Sequence, residues 1–505
     1  MKKKTSIVDN VLANWMGQLV FMISGFVLPR LISDHLSAER LGLWYFGWTF
    51  VGYSQLLALG IAGAVNRYVA WHRARDDWDA LNRVVSSSLV ILTLSCLVAL
   101  VATGVFTWLV PILNPRMHPD HIEDTRIMLV LLGIGAAIQL PGSVFNGVIG
   151  GYERFDLKNA VRIFISIGSL GTLALLLVRG YELVALAGTI LGGEILRILL
   201  QFGVAKRICP HLRFRPRFVS WSVVRDILGF GGKSVLQQLS RSLLYYTNGL
   251  IVTFALGPVK YAIYNVQVAL VTNASRVLIQ YAHVFIPATA ALHAGEDQKE
   301  IERLFLQGSR YAAYITLPII AFLVVLGGPI VHVWMGDEYE RPGVLALLAI
   351  GHAAAIAQRP TLSVLTGLHV HGRPAIAELV AALVSVGLGW LFVVELEWGL
   401  LGAAWAVAIP VTLSGGVVLP VLGCRAVKLD LLDYVLSTMT GPLIAVVPLV
   451  VWLLATRQLW SESMVLQLVA GVIGGGLLVV LTYWIWVIPS SLKTRVKRVA
   501  WGRPV

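Results

Sequence analysis

Apolar residues run along this chain in long blocks, broken by short polar gaps or by gaps that carry Gly and Pro. A helix needs about 20 mostly apolar residues to cross a bilayer core. Fourteen blocks meet that length: 8–32, 41–66, 84–110, 126–150, 159–178, 183–205, 226–255, 260–290, 309–334, 342–367, 374–394, 399–424, 434–456 and 464–489. Several exceed the minimum, so tilt or extension beyond the bilayer is expected. The pattern predicts an all-α polytopic membrane protein with about 14 transmembrane helices.

Composition narrows the class. Of 505 residues, 57% are hydrophobic and only 13% are charged, against about 25% charged in a soluble domain. Mean hydropathy is +0.77. Three cysteines, Cys96, Cys209 and Cys424, are too few and too scattered for a disulfide framework or a zinc site. The net charge of +13 would point to nucleic acid in a soluble chain. In a membrane protein, loop bias has to be considered first. With both termini on the cytoplasmic side, the cytoplasmic segments hold 26 Lys and Arg and the opposite segments hold six. That asymmetry accounts for most of the excess charge without nucleic acid, and it orients the chain. The basic start MKKKTSIVDN precedes an apolar run longer than a cleavable signal has, so it reads as an uncleaved first helix.

The loops are too small to fold alone. The segment 206–225, KRICPHLRFRPRFVSWSVVR, is strongly basic and lies near the middle. It reads as a cytoplasmic linker between two pseudo-symmetric six-helix lobes, 1–205 and 226–424, with two further helices and a basic tail in 425–505. Arg40-Leu41-Gly42-Leu43-Trp44-Tyr45 and Lys260-Tyr261-Ala262-Ile263-Tyr264-Asn265 open the second and eighth blocks 220 residues apart, a weak internal repeat. Repeated halves are a common transporter design. Asp76, Asp77 and Asp79 read as a solvated face of a basic loop.

Eight basic residues fall in or at the margins of the blocks: Arg30, Arg126, Arg162, Arg197, Lys233, Arg241, Arg276 and Arg359. A charge at the centre of a membrane helix costs about 2.5–3.5 kcal/mol on insertion scales. Arg126 and Arg162 sit in first turns and can snorkel. Glu194 and Arg197 are three apart on one helix face, as an ion-coupling site or a structural pair. Lys233, Gln237, Arg241, Tyr245 and Asn248 recur every three or four residues and share a slowly drifting face. Asn265, Thr272, Arg276 and Gln280 do the same on the next helix, and Asn14 and Gln18 extend a shorter uncharged stripe from Asn10. Amide stripes often hold helices together. The nearest intramembrane acid in the second half is Glu378, so the cationic face is expected to line water and attract an anion.

Catalytic signatures are lacking. Residues 226–234, DILGFGGKS, imitate a phosphate-binding loop, but Ile227 stands where Gly is needed. There is no HExxH, and the external loops are short. The largest, 111–125, has Asp120, Glu123 and Asp124 but little room for a domain. No metal or cofactor is expected, and a membrane polymerase, ligase or glycosyltransferase is the least favoured reading.

The stretches GFVLPRLISDHLSAERLGLWYFGWTF and LLALGIAGAVNRYVA resemble the opening helices of the polysaccharide-transport (oligosaccharide flippase) family, of the multidrug/oligosaccharidyl-lipid/polysaccharide (MOP) exporter superfamily. The second half opens similarly, with ILGFGGKSVLQQLSRSLLYYTNGLIVTFALGPVKYAIYNVQVAL followed by FIPATAAL. The resemblance covers essentially the whole chain. It implies a MATE-like fold in the bacterial inner membrane, alternating access, and a cationic cavity for an undecaprenyl-diphosphate-linked oligosaccharide. On that reading Arg241 and Arg276 hold the diphosphate, Lys233 receives it, and Arg359 and Arg30 assist. Gln237, Tyr245, Asn248, Asn265 and Gln280 line the cavity with Asn14 and Gln18. Asn248 stands near a position where many relatives carry an acid. Partners would be the lipid carrier, the bilayer and polysaccharide polymerase machinery. The alternatives are a lipid II flippase and a drug/cation antiporter, the latter requiring midspan carboxylates.

Overall fold

The computed structural model describes residues 22–370 and 372–487, apart from the side chains of 230–234. The described residues form helices and no strands. In chain order these are α1 (22–35), α2 (Ala38–Ser54), α3 (Ile61–Arg73), α4 (Trp78–Trp108), α5 (Val110–Leu113), α6 (Ile122–Gly151), α7 (Phe155–Val178), α8 (Leu183–Ile208), α9 (Trp221–Ser242) and α10 (Asn248–Leu256). They continue as α11 (Pro258–Ala282), α12 (Phe285–Ala294), α13 (Gln298–Met335), α14 (Pro342–Ala357), α15 (Arg359–Gly367), α16 (Gly372–Gly389), α17 (Gly399–Leu413), α18 (Leu419–Val427), α19 (Leu431–Leu459) and α20 (Met464–Trp486).

Among the described residues, 11 helices are long and apolar enough to cross a membrane. Counting α2 and α3 as one bent span raises this to 12. The bend of 41° falls at Leu59 and Gly60, both in left-handed backbone. The expected fourteen differ from this count at two blocks. The first block begins in residues outside the description. The stretch Trp221–Leu256 is helical throughout, but it carries Arg225, Asp226, Lys233 and Arg241 and a π-helical turn at Leu243–Thr247. The chain is a multi-pass membrane protein: large apolar side chains such as Leu94, Val101, Val451 and Ile473 lie at the surface, where lipid rather than water can accommodate them.

Contacts divide the chain into two compact units, Met1–Ala262 and Ile263–Val505. In the first, α6 is central, with 56% of its most apolar window buried. In the second, α13 is central, with 67% buried. At 38 residues, α13 is about 57 Å long, so it outreaches the bilayer core.

The 220-residue repeat extends well beyond one short match. Ala38 and Pro258 begin α2 and α11, Trp78 and Gln298 begin α4 and α13, and Ile122 and Pro342 begin α6 and α14. One turn is reproduced in detail. Asp76 and Glu296 adopt φ of 54° and 56°. The amides of Asp77 and Asp297 donate to His72 O and Leu292 O, each at 3.1 Å. Asp77 Oδ1 accepts from the Ala80 amide at 2.9 Å, and Asp297 Oδ1 accepts from the Glu300 amide at 3.1 Å. Asp77 is therefore a helix cap, whereas the sequence suggested only a solvated face.

The basic segment after α8 is docked on the first unit. Asn82 Nδ2 donates to His211 O at 3.0 Å, and Asn82 Oδ1 accepts from the Arg213 amide at 2.8 Å. Trp78 stacks on His211, Phe214 packs against Phe145, and Cys209 and Leu212 are fully buried. α9 and α10 also make their contacts in this unit, against α2, α3 and α4. In the second unit, α19 and α20 pack on α13 through Ala321, Val325, Leu326, Leu449 and Leu453. The Trp452 indole nitrogen donates to Ala470 O at 3.1 Å and ties α19 to α20.

Candidate functional site

The π-helical turn divides the polar face foreseen on α9 and α10. Such a turn admits an extra residue and rotates the helix beyond it. Gln237 is half-buried and Arg241 is exposed in the last turn of α9. Tyr245 is half-buried inside the π turn. Asn248 is 2% exposed at the start of α10, and its Nδ2 donates to Leu244 O at 2.9 Å. The backbone at Lys233 belongs to α9; its side chain lies outside the description, as do Asn14 and Gln18. The turn itself is held against α2, with Tyr53 OH bonded to Thr247 Oγ1 and the Tyr246 ring lying over Gly52.

In the second unit, Asn265, Arg276 and Gln280 are half-buried along α11. Gln267, on the same helix, is fully buried and donates to Tyr339 O at 2.7 Å. Arg359 begins α15 at a break in a membrane span, directly after the α14 cap residue Gln358. Its Nε is buried and has no hydrogen-bond partner among the described residues. Its chain neighbour Gln358 belongs to a buried polar network. Gln358 Oε1 accepts from Thr361 Oγ1 at 2.5 Å and from Tyr434 OH at 2.9 Å, and Ser309 Oγ is 3.3 Å from Thr361 Oγ1. Tyr434 also stacks on Phe305. No stripe in the sequence led to this network. Its signal was Pro360, one residue past Arg359, inside an apolar block where a proline favours a helix start rather than a helix interior.

Three of the foreseen charges are paired, one of them Arg126, whose Nη1 lies 3.9 Å from Glu123 Oε2 in the first turn of α6. Arg30 Nε bonds Asp34 Oδ2 at 2.8 Å, with both side chains 42% exposed. Arg197 Nε bonds Glu194 Oε2 at 2.9 Å, and Arg197 Nη2 also reaches Glu194 Oε1, in a pair that is largely buried. Among the described residues, one group could hold an ion: His332, Asp337 and Glu340, at the end of α13 and in the turn after it, with ligand atoms within 4.8 Å of one another. No motif in the sequence pointed to it.

A family profile described as "Polysaccharide biosynthesis protein" matches residues 84–342, just over half of the chain. The chain belongs to that family. A "Putative O-antigen transporter" of Shigella flexneri is 22% identical over 416 residues, covering 80% of this chain and 95% of the relative. An "Uncharacterized membrane protein EpsK" of Bacillus subtilis is 19% identical over 411 residues, 80% of this chain and 81% of the relative. Among solved structures, an inward-facing multidrug resistance MATE family transporter of the MOP superfamily aligns with a TM-score of 0.70 at 16% identity, over 83% of this chain and 98% of its own. The lipid II flippase MurJ, in an inward closed conformation, aligns with a TM-score of 0.68 at 13% identity, over 95% of this chain and 99% of its own. The chain therefore shares the MATE-like fold of these transporters. The functions named for these relatives are transport and flipping, not catalysis.

Proposed function

We propose that this polysaccharide biosynthesis protein is a flippase. It moves an undecaprenyl-diphosphate-linked oligosaccharide across the bacterial cytoplasmic membrane by alternating access, for O-antigen or exopolysaccharide assembly, with both termini cytoplasmic. The carrying observation is Arg359, a guanidinium whose buried Nε has no bonding partner among the described residues, at a break inside a membrane span. A diphosphate crossing a low-dielectric layer needs fixed cations to offset its lost hydration. Arg241, exposed on α9, and Arg276, on α11, supply that charge in the first and second units, with Lys233 receiving the head. Arg30 contributes less, because Asp34 shares its charge.

A lipid II substrate presents the same diphosphate to the same cations and differs only in its sugars. A drug/cation antiporter would need an available midspan carboxylate, and Glu194 is engaged by Arg197.

In a strain lacking the gene, the wild-type chain should restore surface polysaccharide and clear accumulated lipid-linked oligosaccharide. Arg359→Gln, and the pair Arg241→Glu with Arg276→Glu, should leave membrane levels unchanged and abolish export. Full export by the well-expressed triple variant would refute the cationic path.

A further inference from the structure

On the proposed cytoplasmic face of the first unit, α3, α4 and the start of α9 enclose a cavity of about 520 Å³. Arg67, Trp71, Arg83, Ser220, Ser222 and Asp226 line it, over a floor of buried Ala80 and Val84. The wall formed by the start of α9 is fixed in place. The Ser220 amide donates to Ser87 Oγ at 3.2 Å, and Asn82 clamps the chain just upstream. The cavity is thus formed before any ligand arrives.

Its chemistry is mixed in an informative way. Two guanidinium groups beside a helix start suit a phosphate or diphosphate, and Ser220 makes no side-chain cap to the first turn of α9. The Asp226 carboxylate repels a bare phosphate but accepts hydrogen bonds from sugar hydroxyls. Trp71 offers a flat apolar face; Arg75 stacks 3.5 Å from its ring centroid and steadies it, while the side chain stays 56% exposed. Phosphate, hydroxyls and an apolar sugar face together describe a glycosyl phosphate.

A further relationship shows how such a head would be delivered. On α4, Arg83 shares a helix face with Val90, Leu94, Leu97 and Val101, which are 42%, 59%, 55% and 69% exposed. A lipid tail lying along that stripe places its head at Arg83.

We propose that this cavity is a docking site for the glycosyl-diphosphate head of a lipid-linked sugar at the membrane surface, occupied before translocation. The proposal rests on the flippase reading and adds to it a site separate from the midspan cations.

The test is protection of Ser222→Cys from a soluble maleimide in the full-length protein in phosphatidylcholine nanodiscs, with Ser220→Cys as the alternative if the first variant misfolds. Farnesyl-diphosphate-linked N-acetylglucosamine at ten times its Kd should slow labelling about tenfold. Arg67→Gln with Arg83→Gln should remove the protection. Asp226→Asn with Trp71→Leu should weaken it for the sugar-bearing probe and not for farnesyl diphosphate. Equal protection by phosphatidylglycerol would make this a site for bulk lipid heads. Equal protection by N-acetylglucosamine 1-phosphate would make it a site for a soluble ligand. Either result overturns the proposal, as does protection that survives loss of both arginines. Labelling is read without transport. An unprotected cysteine in a chain that still exports polysaccharide therefore sinks the docking site alone, while failure of the midspan variants to affect export sinks the translocation path alone.

Discussion

The carbonyl of Pro258 fills the space that a side chain at Gly42 would need. This contact joins α2 to the start of α11, and further along α2 the Thr49 hydroxyl lies 2.8 Å from the buried Tyr261 hydroxyl. Gly42→Ala should force the two helices apart and cost about 1–3 kcal/mol, as overpacking usually does. Gly25→Ala meets no atom within 4 Å and should be neutral. Thermal unfolding of the two purified variants side by side checks both. A Gly42→Ala protein that melts with the wild type would show that the seam tolerates opening.

The pair Glu194–Arg197 gives a separate prediction. Removing one partner leaves a largely buried charge uncompensated, which costs about 3–5 kcal/mol. Arg197→Gln should therefore lower the melting temperature and the amount of protein in the membrane. Glu194→Gln combined with Arg197→Met should recover most of the loss. If the double variant also exports polysaccharide normally, the pair is structural. If it is stable and inactive, Glu194 takes part in coupling.

Asn82 holds the segment between α8 and α9 through two hydrogen bonds, each worth about 1 kcal/mol net. Asn82→Ala should release that segment locally. Limited proteolysis should then cut faster between residues 209 and 220, while the melting temperature of the remainder changes little. Unchanged cleavage would mean that Trp78, Phe145 and Leu212 suffice to anchor it.

Much of the fold could be read from the chain because membrane helices announce themselves by length and apolarity alone. The repeat was visible at Arg40 and Lys260, and the same spacing recurs in helix starts and in the paired caps Asp77 and Asp297. The candidate site was less legible. A periodic reading carries a stripe straight through Arg241, Tyr245 and Asn248, because hydropathy does not reveal the inserted residue of a π turn. Arg359 was visible as a midspan charge. The network around its neighbour Gln358 was not, because Thr361, Ser309 and Tyr434 come from three separate helices and Gln358 from the cap between α14 and α15. The docking of 206–225 was hidden for a similar reason: its arginines dominate the composition, while Cys209, Leu212 and Phe214 do the packing.

The α19–α20 hairpin covers a face of α13 that includes Ala321 and Val325. Subtracting the repeat interval leads to Val101 and Val105 on α4, which are 69% and 53% exposed. One copy of the motif thus has its own protein jacket, and the other is left exposed over the equivalent strip among the described residues. A change in bilayer thickness or lipid order would therefore act directly on this strip of α4, whereas the matching strip of α13 would meet it through an intervening layer of protein.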